Sequence, residues 1–112
     1  MSEEQEVTVK SVFERIAKRL TEDPDRVKDM AIVYKFVISG DEGGIWLVDL
    51  KTSPPSVTQE DRSDDDCTVM VTDKDFVGIV TGKLRAEMAF MTGKLKVPKG
   101  MPHAMKLQRI LK

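Results

Sequence analysis

Two hydrophobic periods alternate along this chain, and together they leave few folds open. Val9, Val12, Phe13, Ile16, Ala17 and Leu20 recur at spacings of three and four, the apolar stripe of a helix, with Glu14, Arg15, Lys18 and Arg19 around the rest. Thr8 or Ser11 can cap its start, Ser11 having Glu14 three residues on. Asp23-Pro24 ends this helix or begins a short second one. From Ala31 the period drops to two. Tyr34, Phe36 and Ile38 face one way, and Val33, Lys35 and Val37 face the other. Gly40-Asp-Glu-Gly-Gly44 is a turn into a second strand, Ile45 to Lys51, in which Trp46, Val48 and Leu50 share a face. Ser56 to Thr58 reads as a short third strand, the acid-rich Gln59 to Asp66 as a solvated loop, and Cys67 to Thr72 as a fourth strand.

The helical period then returns. Thr72-Asp-Lys-Asp75 starts a helix that buries Phe76, Val77, Ile79 and Val80 and stops at Gly82. A helix from about Arg85 to Thr92 carries Met88, Ala89 and Met91 and ends at Gly93. Leu95 to Val97 is a short strand, and Pro98-Lys-Gly100 turns into one last helix, about Pro102 to Leu111. The alternation predicts an α+β domain on a mostly antiparallel sheet. At 112 residues, 40% hydrophobic and 33% charged, one domain over 1–112 is expected, with 1–7 as a flexible lead-in. No apolar run approaches the ~20 residues of a membrane span. The acidic start lacks the apolar stretch of a signal peptide, and Cys67 is the only cysteine, so an intracellular, reducing setting is expected.

The inventory for catalysis is thin. His103 is the only histidine and sits in the first turn of a helix; Cys67 begins a strand, and nothing around either marks a dyad. One cysteine and one histidine cannot build a zinc site, no calcium loop is present, and Asp64-Asp65-Asp66 reads as carboxylates that repel and solvate. There is no phosphate-binding glycine loop. No enzyme activity, cofactor or metal is expected. Six aromatic residues, with Tyr34, Phe36 and Trp46 alternating as core residues do, argue against the stacking platform of a nucleic-acid binder.

Charge is divided unevenly. Residues 1–81 hold ten Lys/Arg against eighteen Asp/Glu, whereas 82–112 hold eight Lys/Arg against Glu87 alone. Met88, Met91, Met101 and Met105 fall within eighteen residues of that basic third. Flexible, polarisable methionines beside lysines suit a ligand with an apolar body and an anionic head.

The order of short motifs resembles the sterol carrier protein 2 family, especially the version fused to hydroxysteroid-dehydrogenase-like proteins. The motifs are Trp46-Leu-Val-Asp-Leu-Lys51, Asp66-Cys-Thr68, Asp75-Phe76, Thr81-Gly-Lys83, Ala89-Phe-Met-Thr-Gly-Lys-Leu-Lys96, Gly100-Met101 and Ala104-Met-Lys-Leu-Gln108, within a likeness running from about Val9 to Leu111. The resemblance implies a five-stranded sheet covered on one side by about five helices, with an apolar tunnel between the layers. It implies non-catalytic binding and transfer of fatty acids, fatty acyl-CoA, sterols or phospholipids by a monomer, or the same pocket serving as an accessory domain of a dehydrogenase-like protein. By position, Trp46, Val48, Phe76, Ile79, Val80, Met88, Met91, Met101, Met105 and Gln108 would line the tunnel. Lys94, Lys96, Lys99 and Lys106 would meet an anionic head group or an anionic membrane. Family members often end in a peroxisomal tripeptide of the Ser-Lys-Leu type. This sequence ends Ile110-Leu-Lys112, so either a cytoplasmic or a peroxisomal setting is compatible with it.

Overall fold

Residues 7–111 are described by the structure, a computed structural model. Residues 1–6 of the expected lead-in, and Lys112, lie outside the described residues, and Val7 packs against the core. The first helix, α1 (Val9–Glu22), begins at a capping box in which the Thr8 hydroxyl accepts from Ser11 N–H and the Ser11 hydroxyl accepts from Thr8 N–H. Thr8 is therefore the cap, and Ser11 rather than Glu14 closes the box. Val9, Val12, Phe13, Ile16 and Leu20 are all buried, each worth about 1.5–3 kcal/mol relative to exposure. The short second helix is a 3₁₀ turn at Pro24–Val27.

Five strands form one sheet: β1 (Val33–Ser39), β2 (Gly44–Asp49), β3 (Ser56–Thr58), β4 (Cys67–Thr72) and β5 (Leu95–Lys99). Their order is β3-β2-β1-β4-β5, with β1 and β4 parallel and the other three neighbours antiparallel. Tyr34 pairs with Val48 and Phe36 with Trp46, so the inward residues of the hairpin share one face, toward α1. Phe13 of α1 stacks on Trp46 at 4.6 Å and on Phe76 at 5.2 Å, and meets Phe36 edge-on. This aromatic group joins α1, the sheet and α2 (Asp73–Val80), whose start is capped by Thr72 as its sequence predicts.

The opposite face of the sheet corrects one expectation. The acid-rich stretch between β3 and β4 is not a freely solvated loop but crosses the sheet and binds it. Arg62 bonds Asp64 and Asp49; Lys35 meets Asp61 at 3.1 Å and Asp65 at 3.8 Å; Lys51 meets Asp66 at 3.0 Å. Asp66 also accepts from Val33 N–H, and Thr68 donates to Asp65. Val33 and Leu47, which point to this side, are buried. The crossing carries the chain from one edge of the sheet to the far side of β1, which is why β4 enters parallel to it.

The last helix is also corrected. It is two short pieces, α4 (Met101–Ala104) and α5 (Gln108–Leu111), joined by a turn with i→i−3 bonds such as Leu107 N–H to the Ala104 carbonyl. Gly100 starts α4 at φ +78°, and a Cβ there would collide with the Asp66 carbonyl and lie 2.8 Å from Cys67 Cα, so the close approach of α4 to β4 requires glycine.

Candidate functional site

Between the helix-covered face of the sheet and the C-terminal helices lies a cavity of about 570 Å³. Its floor is Phe36 of β1, Val69 and Val71 of β4, and Leu95 and Val97 of β5. One side is Phe76, Ile79 and Val80 of α2. The other sides come from Leu84, from α3 (Ala86–Met91) through Phe90 and Met91, and from Met101, Ala104, Met105, Leu107 and Leu111. The wall forms because four elements each turn an apolar edge inward while their tips stay uncovered: Met91 is 78% exposed and Met105 79%. Arg85 and Glu87 are its charged members. Among the described residues the lining is almost wholly apolar, so the space can enclose an apolar body.

The residues singled out by sequence divide in two. Phe76, Ile79, Val80, Met91, Met101 and Met105 share this wall. Trp46 and Val48 do not, because both are packed into the α1 side of the core, Trp46 against Phe13. Met88 lies on another side of α3 and is half exposed. The Gln108 side chain lies outside the described residues. The sheet floor was missed. Its signal was present, since Phe36, Val69, Val71, Leu95 and Val97 all sit on strands with period two.

The lysines divide as well. Lys96 pairs in register with Met70, and Lys99 with Thr68; those outward residues place both on the face away from the cavity. Lys99 lies 3.6 Å from Asp65 there. Lys94 and Lys106 are exposed, and neither is among the lining residues.

Cys67 and His103 come from neighbouring elements without forming a reactive pair. The Cys67 thiol is fully buried and pushed up to about 11, first by loss of hydration and then by the Asp65 and Asp66 carboxylates. A nucleophilic thiol needs the reverse. His103 enters the structure through its carbonyl, which accepts from the Tyr34 hydroxyl at 2.5 Å and so ties α4 to β1. Burial raises that phenol well above its ordinary range. Among the described residues no group of three His, Cys, Asp or Glu could hold a metal ion, and no helix is long and apolar enough to cross a membrane.

Comparison with known proteins agrees with this architecture. Residues 13–112 match the family model described as the SCP-2 sterol transfer family. Hydroxysteroid dehydrogenase-like protein 2 from Pongo abelii is 42% identical over 98 residues, which are 87% of this chain and 23% of that protein. The chain thus spans about a quarter of that relative. Non-specific lipid-transfer protein-like 1 from Caenorhabditis elegans is 32% identical over 102 residues, 89% of this chain and 86% of the relative. The solution structure of palmitated sterol carrier protein 2-like 2 from Aedes aegypti superposes with a TM-score of 0.77 at 28% identity, over 94% of this chain and 95% of that one.

Proposed function

The chain belongs to the SCP-2 sterol transfer family, and from that membership we propose that it binds lipids in the apolar cavity and transfers them without catalysing a reaction. The observation that carries this reading is the wall itself: about 570 Å³ lined by aliphatic, aromatic and methionine side chains. Small-molecule sites of this kind measure roughly 300–1,000 Å³. The Aedes relative solved with palmitate supports a fatty-acid cargo. Fatty acyl-CoA, sterols and phospholipids complete the proposed range. Phe76, Ile79, Val80, Met91, Met101 and Met105 hold the apolar body, and Arg85 receives an acyl carboxylate. Trp46 and Val48 support the wall from behind, Trp46 through Phe13, which stacks on both it and Phe76. The carrier acts as a monomer with no cofactor, inside the cell, in the cytoplasm or the peroxisome.

Ligand that binds only the folded state stabilises it. At a hundredfold excess over Kd the gain is about 2.7 kcal/mol, or roughly 10 °C for a domain of this size. Saturating palmitate or palmitoyl-CoA is therefore expected to raise Tm by that order in differential scanning fluorimetry. No rise with either would overturn the reading.

The likeness to a dehydrogenase-like protein favours a second use of the same pocket, as an accessory domain that presents lipid to an attached enzyme. Transfer of pyrene-labelled fatty acid between two vesicle populations by the isolated chain favours the carrier; uptake without transfer favours the accessory domain.

A further inference from the structure

We propose that Met91, Met101 and Met105 form a reversible oxidation site, at which hydrogen peroxide converts the thioethers of the cavity wall to sulfoxides and so lowers the affinity of the cavity for apolar cargo. The inference rests on the lipid-carrier reading, and its test keeps the two apart.

Sulfur is distributed unevenly over the molecule. The floor of the cavity, formed by Phe36, Val69, Val71, Leu95 and Val97, is hydrocarbon throughout. The sulfurs of the wall lie on α3, on α4 and just after α4, where the side chains reach water. Met91 and Met105 are mostly exposed and Met101 is 38% exposed. A small oxidant can therefore meet all three from solvent, although each also borders the space for cargo.

The other described sulfurs are placed differently. Met30 is buried in the core. Cys67 is fully buried and its thiol is held protonated, whereas peroxide oxidises the thiolate. Met70 and Met88 are exposed, but Met70 lies on the far face of the sheet and Met88 outside the wall, so oxygen on either leaves the lining as it was. Among the described residues, sulfur that is both accessible and in contact with the cavity is confined to positions 91, 101 and 105.

The step is a two-electron oxygen transfer. A sulfur lone pair attacks one peroxide oxygen, the S–O bond forms and the O–O bond breaks. The second oxygen leaves as water with both hydrogens, so sulfur is oxidised and peroxide reduced. The product is polar where the thioether was apolar. A sulfoxide oxygen desolvated against an acyl chain disfavours binding. One that turns to water at Met91 or Met105 takes its side chain off the cargo. Either route weakens binding, and methionine sulfoxide reductases reverse it.

Purified protein treated with hydrogen peroxide tests this, by peptide mass mapping and by binding of palmitate and of the apolar fluorophore Nile red. Met91 and Met105 should gain oxygen first and Met101 next, with Met30 slower by at least about tenfold and Cys67 left a thiol. Protein oxidised at the three sites should bind both ligands at least about tenfold more weakly. A pair of reductases, one for each sulfoxide epimer, should return the affinity to within about twofold of the untreated value. Combining Met91→Leu, Met101→Leu and Met105→Leu keeps apolar volume without sulfur. Peroxide should change that variant's affinity by less than about twofold relative to its own untreated sample. Met70→Leu with Met88→Leu should respond to peroxide as wild type does. Circular dichroism confirms folding, and mapping with reductase reversal decides the matter should the triple variant not fold.

Affinity unchanged by full oxidation at the three sites would overturn the proposal. So would resistance of these methionines to peroxide, a loss that accompanies unfolding, or an equal loss in the triple variant. Nile red binding that oxidation weakens, in a protein that takes up no palmitate, removes the carrier reading alone. Palmitate binding that survives oxidation removes the oxidation site alone, and a protein that binds neither ligand before treatment overturns both.

Discussion

Cys67 begins β4 with its side chain fully buried beside Tyr34, and the two carboxylates that precede it in sequence add to the cost of ionising it. Its thiol rises from an ordinary 9.0 to about 11 in the folded chain. A group held protonated by folding contributes its full stability below the unfolded value and loses it as pH climbs through the folded one. Stability should therefore fall between about pH 9 and pH 11, by on the order of 2 kcal/mol from this group. The comparison that isolates it is wild type against Cys67→Ala in urea unfolding. The stability difference between them should shrink by that amount from pH 8 to pH 11, and a difference that stays constant would show that the thiol does not titrate late. Legibility at this scale is uneven. Inward positions such as Phe36, Phe76 and Val69 follow from period alone, because burial repeats with the backbone. The fates of Asp64, Asp65 and Asp66 do not follow from it. Arg62 pairs with Asp64 within the same loop, but Lys35, Lys99 and Lys51 come from other elements, and no local pattern says that a loop will fold across a sheet.

Among the elements, those with their own start and stop signals were legible. The Thr72 cap set the beginning of α2, and Gly93 followed the end of α3 as the glycine signal predicted. The C-terminal segment had no such interior signal. Its apolar residues run at helical spacing from Ala104 to Leu111, yet the segment breaks in two because each half is anchored to a different partner. α4 is held through the His103 carbonyl by Tyr34 of β1. α5 is held by Arg109, whose guanidinium takes both oxygens of Asp29 and whose carbonyl accepts from Arg26 at 2.8 Å. The Asp29–Arg109 pair is exposed, so water and salt screen it and it contributes little. The Tyr34 bond is partly buried and is the stronger tie. Tyr34→Phe keeps the ring and removes the donor, so it should cost about 1–2 kcal/mol. Hydrogen exchange should quicken selectively over 101–107, the part of the cavity wall that α4 carries. Uniform exchange across the chain would mean that Tyr34 supports the core and not α4.

For the molecule as a whole, the cavity sets a condition that the rest of the fold has to meet. Were all 570 Å³ sealed and dry, at about 24 cal/mol per Å³ it would cost roughly 14 kcal/mol, as much as the entire stability of a typical domain. A chain of 112 residues cannot carry that burden, so the space is open to water, filled, or closed by movement of α3 and α4. Function and stability therefore pull against each other at one place, and a substitution that fills the cavity should separate them. Ala104 lines the wall on α4. In Ala104→Phe the ring would occupy the space and bury apolar surface worth up to about 2 kcal/mol. The ligand-free variant should melt higher than the ligand-free wild type, while the rise of Tm on adding palmitate should shrink or vanish. A variant that melts lower and still gains the full rise would show that the space around Ala104 is already closed and that cargo binds elsewhere.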